Sequence, residues 1–158
     1  MRMSDFVVRD AVIPGLTAAT KEGVIREMVD SLRAAGQFKN ADVEDIIRAI
    51  LKRELLGSTG IGRGVAIPHT KHPGVDKLVG TIAVSPGGVA FDSLDGEPVF
   101  VFVLLISPPD RPGEHLRALE TVSRALRDDN FVKALRAADS RDAIWSLLER
   151  GSGNNQPA

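Results

Sequence analysis

The chain has 158 residues, 43% of them hydrophobic, which suits one domain with a real core. Lys plus Arg number 20 against 21 Asp plus Glu, so a net charge of -1 leaves no electrostatic footprint for nucleic acid and no basic tract for a membrane surface. With no cysteine, disulfides, thiol nucleophiles and Cys-based zinc sites are excluded, and a reducing cytoplasm is the expected setting.

The N-terminal stretch carries Arg2, Asp5, Arg9 and Asp10 and lacks the apolar core of a signal peptide. A first helix is predicted over 20–36: Thr20 can cap it, Ile25, Met28, Val29 and Leu32 recur at helical spacing, and Gly36 is a stop signal. A second is predicted over about 41–56, with a stripe of Val43, Ile46, Ile47, Ile50 and Leu51 between a capping Asn40 and a terminating Gly57. The glycine-rich run from Gly57 to Gly64 cannot be regular helix, and Val65-Ala66-Ile67 is a short strand candidate halted by Pro68. Leu78–Val84 and Val99–Ile106 are apolar and rich in β-branched residues, and the second reads as a strand buried on both faces. That second run is far too short to span a bilayer, so no membrane insertion is expected. An Asp95-Gly96 turn precedes it. A third helix is predicted over about 112–127. A short one starts at Asp129 or Asn130 and runs to Arg136, and a last one over 141–149 is capped by Ser140. The expectation is a single α/β layered domain over 1–150, a mixed β-sheet flanked by helices on both faces, with 151–158 as a disordered tail.

The segment from Gly57 to His69 is the most informative. Gly57 and Gly62 have P-loop spacing, but Arg63-Gly64 stand where a lysine and a magnesium-binding hydroxyl are needed. Gly60 and Gly62 open a dinucleotide pattern, yet Val65 occupies the third glycine position and the loop follows a helix. Neither nucleotide loop fits, and no cofactor is expected. Glycines allow close backbone approach, and Pro68 fixes φ, so His69 can stand at a strand end with its imidazole presented. A neutral imidazole has a free lone pair and is a competent nucleophile near pH 7. An ordinary surface-loop histidine has the same spacing. A metal site built on His69, His72 and His115 is opposed by Pro68 and Pro73, which prevent a helix from presenting the first two together, so no metal is expected. His72 reads as a plain loop residue.

The ordered run Gly-Ser-Thr-Gly-Ile-Gly-Arg-Gly-Val-Ala-Ile-Pro-His69, preceded by Arg53-Glu54, resembles the signature of the soluble enzyme IIA domain of the bacterial phosphotransferase system, fructose/mannitol/nitrogen-regulatory type. Lys21-Glu22, the turn from Phe91 to Pro98, the strand ending in Ser107-Pro108, and His115-Leu116 extend the resemblance over about residues 6–149. The resemblance implies that His69 is the phosphorylated histidine, that His115 is a second active-site histidine contacting the phosphoryl group, and that Arg53 is a site arginine. It implies a phosphohistidine carrier protein (HPr- or NPr-like) as phosphoryl donor, and a downstream IIB carrier or a regulated protein as recipient. The nitrogen-regulatory type is expected, because no membrane segment or second carrier domain is fused. Sugar uptake through a separate IIB protein, and a non-catalytic regulatory binding module, are the alternatives. The sequence departs from the family at Thr70, where glycine is usual. A side chain there is expected to narrow access, to add a hydroxyl donor or to alter which partner docks, without abolishing transfer.

Overall fold

The computed structural model describes residues 1–150, so the expectation of a disordered tail lies outside the described residues. Five helices and five strands follow in chain order: α1 Lys21–Ala34, α2 Val43–Leu55, β1 Gly60–Gly62, β2 Val65–Ala66, β3 His69–Lys71, β4 Val79–Val89, β5 Val99–Ser107, α3 Pro112–Leu126, α4 Asp129–Ala137 and α5 Arg141–Arg150. The fold class is the expected one, a mixed sheet between helical layers.

β5 is the centre of the sheet. β4 pairs with it antiparallel, with Ile82 opposite Val103. β2 and β3 run parallel to it along its other side, where Val65 meets Val101 and His69 meets Leu105. They form one broken edge, interrupted at Ile67-Pro68 because proline cannot donate to a ladder. β1 folds back antiparallel on β2. The outer side of β4 is joined by the N-terminal segment through bridges at Val7 and Ile13.

Period-two alternation sorts the β5 side chains onto two cores. Phe102, Leu104 and Ile106 face α1 and α2, together with Ala66. Val101, Val103 and Leu105 face α3, α4 and α5, together with Val65 and Ile67. The expectation that β5 is buried on both faces holds: Val101 through Ser107 are all fully buried.

The caps show where local rules operate. Thr20 Oγ1 accepts from Gly23 N–H at 3.0 Å, and Ser140 Oγ accepts from Ala143 N–H at 3.0 Å. α4 starts at Asp129, one of the two expected starts, and Asp128 caps it by accepting from two backbone amides. Asn40 does not cap α2. It opens a 3-10 turn, Asn40–Asp42, that leads into the helix. β4 also runs past the expected end at Val84 to Val89, through an irregularity at Ser85 to Gly88 that absorbs Pro86.

Candidate active site

Three elements converge at the carboxyl end of β5. β3 lies beside it and carries His69, β5 itself ends in Ser107, and the loop Pro108 to Arg111 leads into α3, with Pro112 at its first position and His115 in its first turn. The register sets which side chains meet. His69 and Lys71 pair with Leu105 and Ser107, so both lie on the face that looks toward α3. Thr70 pairs with Ile106 and lies on the opposite face, toward α2. Among the described residues the hydroxyl of Thr70 bonds the Lys71 carbonyl alone, at 3.3 Å. The residue that departs from the family pattern is thus directed away from the imidazole beside it.

The His69 and His115 rings stand 5.5 Å apart between centroids, tilted by 58°. His69 is half-buried, and its Nδ1 is 2.8 Å from the Ile67 carbonyl oxygen. A carbonyl only accepts, so Nδ1 carries the hydrogen and Nε2 keeps its lone pair. Burial pushes the His69 pKa below its ordinary value. The Arg53 charge acts the same way, while the Ile67 bond and Glu54 oppose it. His69 is therefore a neutral imidazole with one free nitrogen.

His115 is buried, 4% exposed. Its Nδ1 lies 2.5 Å from Ser107 Oγ. Burial, then the charges of His69 and Lys71, push its pKa down to about 4. Arg53 sits in the last turn of α2, where its guanidinium donates to the Gly57 carbonyl at 2.9 Å. It is partly buried, and its charge acts on His69. The structure thus brings His69 and His115 into ring contact and places Arg53 within electrostatic range.

Two features behind the site are not legible as site features in the sequence. Next to Arg53, the Glu54 carboxylate is buried. It accepts from Lys21 Nζ at 2.9 Å, from Thr59 N–H at 3.1 Å, and from the Thr59 hydroxyl. This network ties the glycine loop to α1 and α2, and Lys21 also lies 4.8 Å from the Phe91 ring. Arg63 adopts a left-handed backbone at φ 59°, held by its backbone N–H donating to Asp95 Oδ2 at 3.0 Å. The signals were present as Lys21, Glu54 and Thr59, but only folding brings those three together.

His72 departs from the plain loop residue expected. It is buried, its Nδ1 accepts from Gly74 N–H at 2.9 Å, and its Nε2 donates to Asp45 Oδ2 at 2.5 Å. Both nitrogens are occupied, and its backbone N–H bonds the Ser107 carbonyl. Among the described residues no group of three or more His, Cys, Asp or Glu could hold a metal ion. No helix among them is long and apolar enough to cross a membrane.

Comparison with known proteins identifies the family of the chain. The family model described as "Phosphoenolpyruvate-dependent sugar phosphotransferase system, EIIA 2" matches residues 5–151. A nitrogen regulatory protein of Bradyrhizobium diazoefficiens is 35% identical over 148 residues, 94% of this chain and 95% of its own length. The fructose-specific EIIABC component of Bacillus subtilis is 33% identical over 95% of this chain but only 23% of its own length. The crystal structure of nitrogen regulatory protein IIA-Ntr from Neisseria meningitidis superposes with a TM-score of 0.82 at 28% identity, covering 92% of this chain and 97% of that one. A motif, a fold and a match over nearly the whole chain coincide: the chain belongs to the EIIA 2 family of the phosphoenolpyruvate-dependent sugar phosphotransferase system and is a phosphoryl-transfer component of it.

Proposed function

We propose that the chain, as a single domain over 1–150, carries a phosphoryl group on His69 Nε2, received from a phosphohistidine carrier protein of the HPr or NPr type. The observation that carries this reading is the commitment of Nδ1 to the Ile67 carbonyl, which leaves Nε2 as the one free nucleophilic nitrogen beside His115.

The step balances without a net proton change at His69. The Nε2 lone pair attacks phosphorus in line, the N–P bond of the carrier's phosphohistidine breaks, and its electron pair returns to the carrier's imidazole. Nδ1 keeps its hydrogen throughout. Phosphoryl transfer has a loose transition state with charge on the equatorial oxygens, so positioning and electrostatic stabilisation do the work. In this reading His115 donates an N–H to those oxygens, and the N-terminus of α3, which carries it, favours negative charge. Arg53 adds positive potential.

The carrier docks on apolar surface around this centre. Leu55 and Leu56 follow Arg53 and are 87% and 83% exposed. Ile61 in the glycine loop and Leu116 beside His115 are exposed too. Leu94, bonded through its amide to Gly60, is 76% exposed. Large apolar side chains held in water beside a reactive group suit a transient protein interface.

The nitrogen-regulatory role is favoured over sugar uptake by the Bradyrhizobium match, which spans almost all of both chains. In this role the phosphorylation state selects regulated partners; in the alternative, the phosphate passes to a sugar-specific IIB carrier. Incubation with phosphoenolpyruvate, enzyme I and the carrier tests the central claim: intact-mass analysis is expected to find one acid-labile phosphate, absent in His69→Ala. Equal labelling of His69→Ala would overturn it. Transfer onward to a sugar-specific IIB protein would defeat the regulatory role.

A further inference from the structure

Ser107 and His115 are both buried, and the serine hydroxyl meets imidazole Nδ1 at 2.5 Å. Two hydrogen arrangements fit that distance. In one, Ser107 O–H donates to Nδ1, and the hydrogen of a neutral His115 sits on Nε2. In the other, Nδ1–H donates to Ser107 Oγ, and Nε2 is bare. Hydrogen-bond accounting separates them. Ser107 Oγ has no hydrogen-bond partner besides His115 Nδ1 among the described residues. The second arrangement would leave a fully buried hydroxyl hydrogen without an acceptor, which proteins avoid. The first satisfies both groups. A doubly protonated ring is disfavoured by the burial of His115 and by the neighbouring Lys71.

We propose that Ser107 is a positioning residue that locks His115 in the Nε2–H tautomer, so that His115 meets the transferring phosphoryl group as a neutral hydrogen-bond donor. The inference rests on the reading of His69 as phosphoryl acceptor for its kinetic consequence, but its tautomer claim stands apart from that reading. The opposite tautomer would aim a lone pair at the phosphoryl oxygens and repel them. The serine holds its place because it ends β5, pairs with Lys71 across the ladder, and accepts the His72 amide through its carbonyl at 2.9 Å. The strand that fixes the nucleophile's edge therefore also fixes the tautomer of its partner.

The test is long-range proton–nitrogen correlation NMR on the full chain labelled at histidine nitrogens, at pH 7. The expected parent spectrum has His115 protonated at Nε2 and bare at Nδ1. Ser107→Ala is expected to convert it to a mixture of tautomers, and Ser107→Thr, which keeps the hydroxyl, to retain the parent form. In phosphotransfer from the carrier, Ser107→Ala is expected to slow the rate about tenfold. In a His115→Gln background the same change is expected to cost nothing further, because the serine acts only through the imidazole. A parent His115 protonated at Nδ1 overturns the proposal, as does an equal loss from Ser107→Ala in both backgrounds. If Ser107→Ala fails to fold, the parent tautomer and Ser107→Thr still decide. Failure of the carrier reading looks different: no phosphate on the parent at all, with the tautomer result unaffected.

Discussion

His69 and His72 are three residues apart on one short segment, yet they live in opposite circumstances. His69 has one nitrogen engaged by its own backbone and one free, beside a second imidazole. His72 has both nitrogens engaged, by Gly74 and Asp45, and clamps the end of β3 to the first turn of α2. The contrast teaches that chemistry requires a polar group left unsatisfied and supported, whereas structure requires it satisfied. Hydrogen bonding of the two rings, rather than residue type or spacing, separates the proposed nucleophile from the clamp.

The largest expected effect breaks the reactive half of the pair. His69→Ala loses phosphoryl acceptance altogether while its thermal unfolding midpoint stays close to the parent's, as mass labelling and calorimetry would show. His115→Ala comes next. Losing one preorganised donor to a developing oxyanion costs about 10² to 10³ in rate, readable in rapid-quench transfer, with His69 still labelled at the end point. A rate within twofold of the parent would remove His115 from the site.

His72→Ala should invert that pattern. Transfer stays within about twofold, but stability falls by about 1–3 kcal/mol as the Gly74 amide and the strand end lose a buried partner; denaturant unfolding measures it. Loss of transfer without loss of stability would erase the distinction drawn above.

The pH responses sharpen it. His115 titrates near 4 in the fold against an ordinary value near 6.5, so the unfolded chain binds the proton first. Its contribution to stability is complete above pH 6.5 and declines as pH falls toward 4, at up to about 1.4 kcal/mol per pH unit. His115→Gln should flatten that part of the stability profile. Burial lowers the His69 pKa as well, so the midpoint of acid loss of acceptance should lie below the ordinary imidazole value. The smallest effect belongs to Thr70→Gly. Its side chain lies across the sheet from the His69 ring, and the transfer rate should change less than about twofold.

Much of this was legible in the chain because local rules govern it. Periodicity placed α1, α2 and α3 within two residues of their ends, and Thr20 and Ser140 cap as their chemistry predicts. Where local signals misled, non-local pairing had overridden them. The strand expected to end at Val84 runs on, because the partner strand β5 carries the ladder to Val89. His69–Lys71 gives no strand pattern of its own, and becomes β3 only because β5 offers a parallel edge. Asn40 has the chemistry of a cap, but a 3-10 turn stands between it and α2.

By itself the sequence determined the layered class, the helices and the glycine loop ending in Pro68-His69, because periodicity, caps and backbone restrictions act within a few residues. Only the tertiary structure decided which histidine nitrogen is free, that His72 is a clamp, that Thr70 faces away, and that Ser107 touches His115. Those facts depend on strand register and burial, and groups far apart in the chain exchange hydrogen bonds only after the fold has removed water from between them.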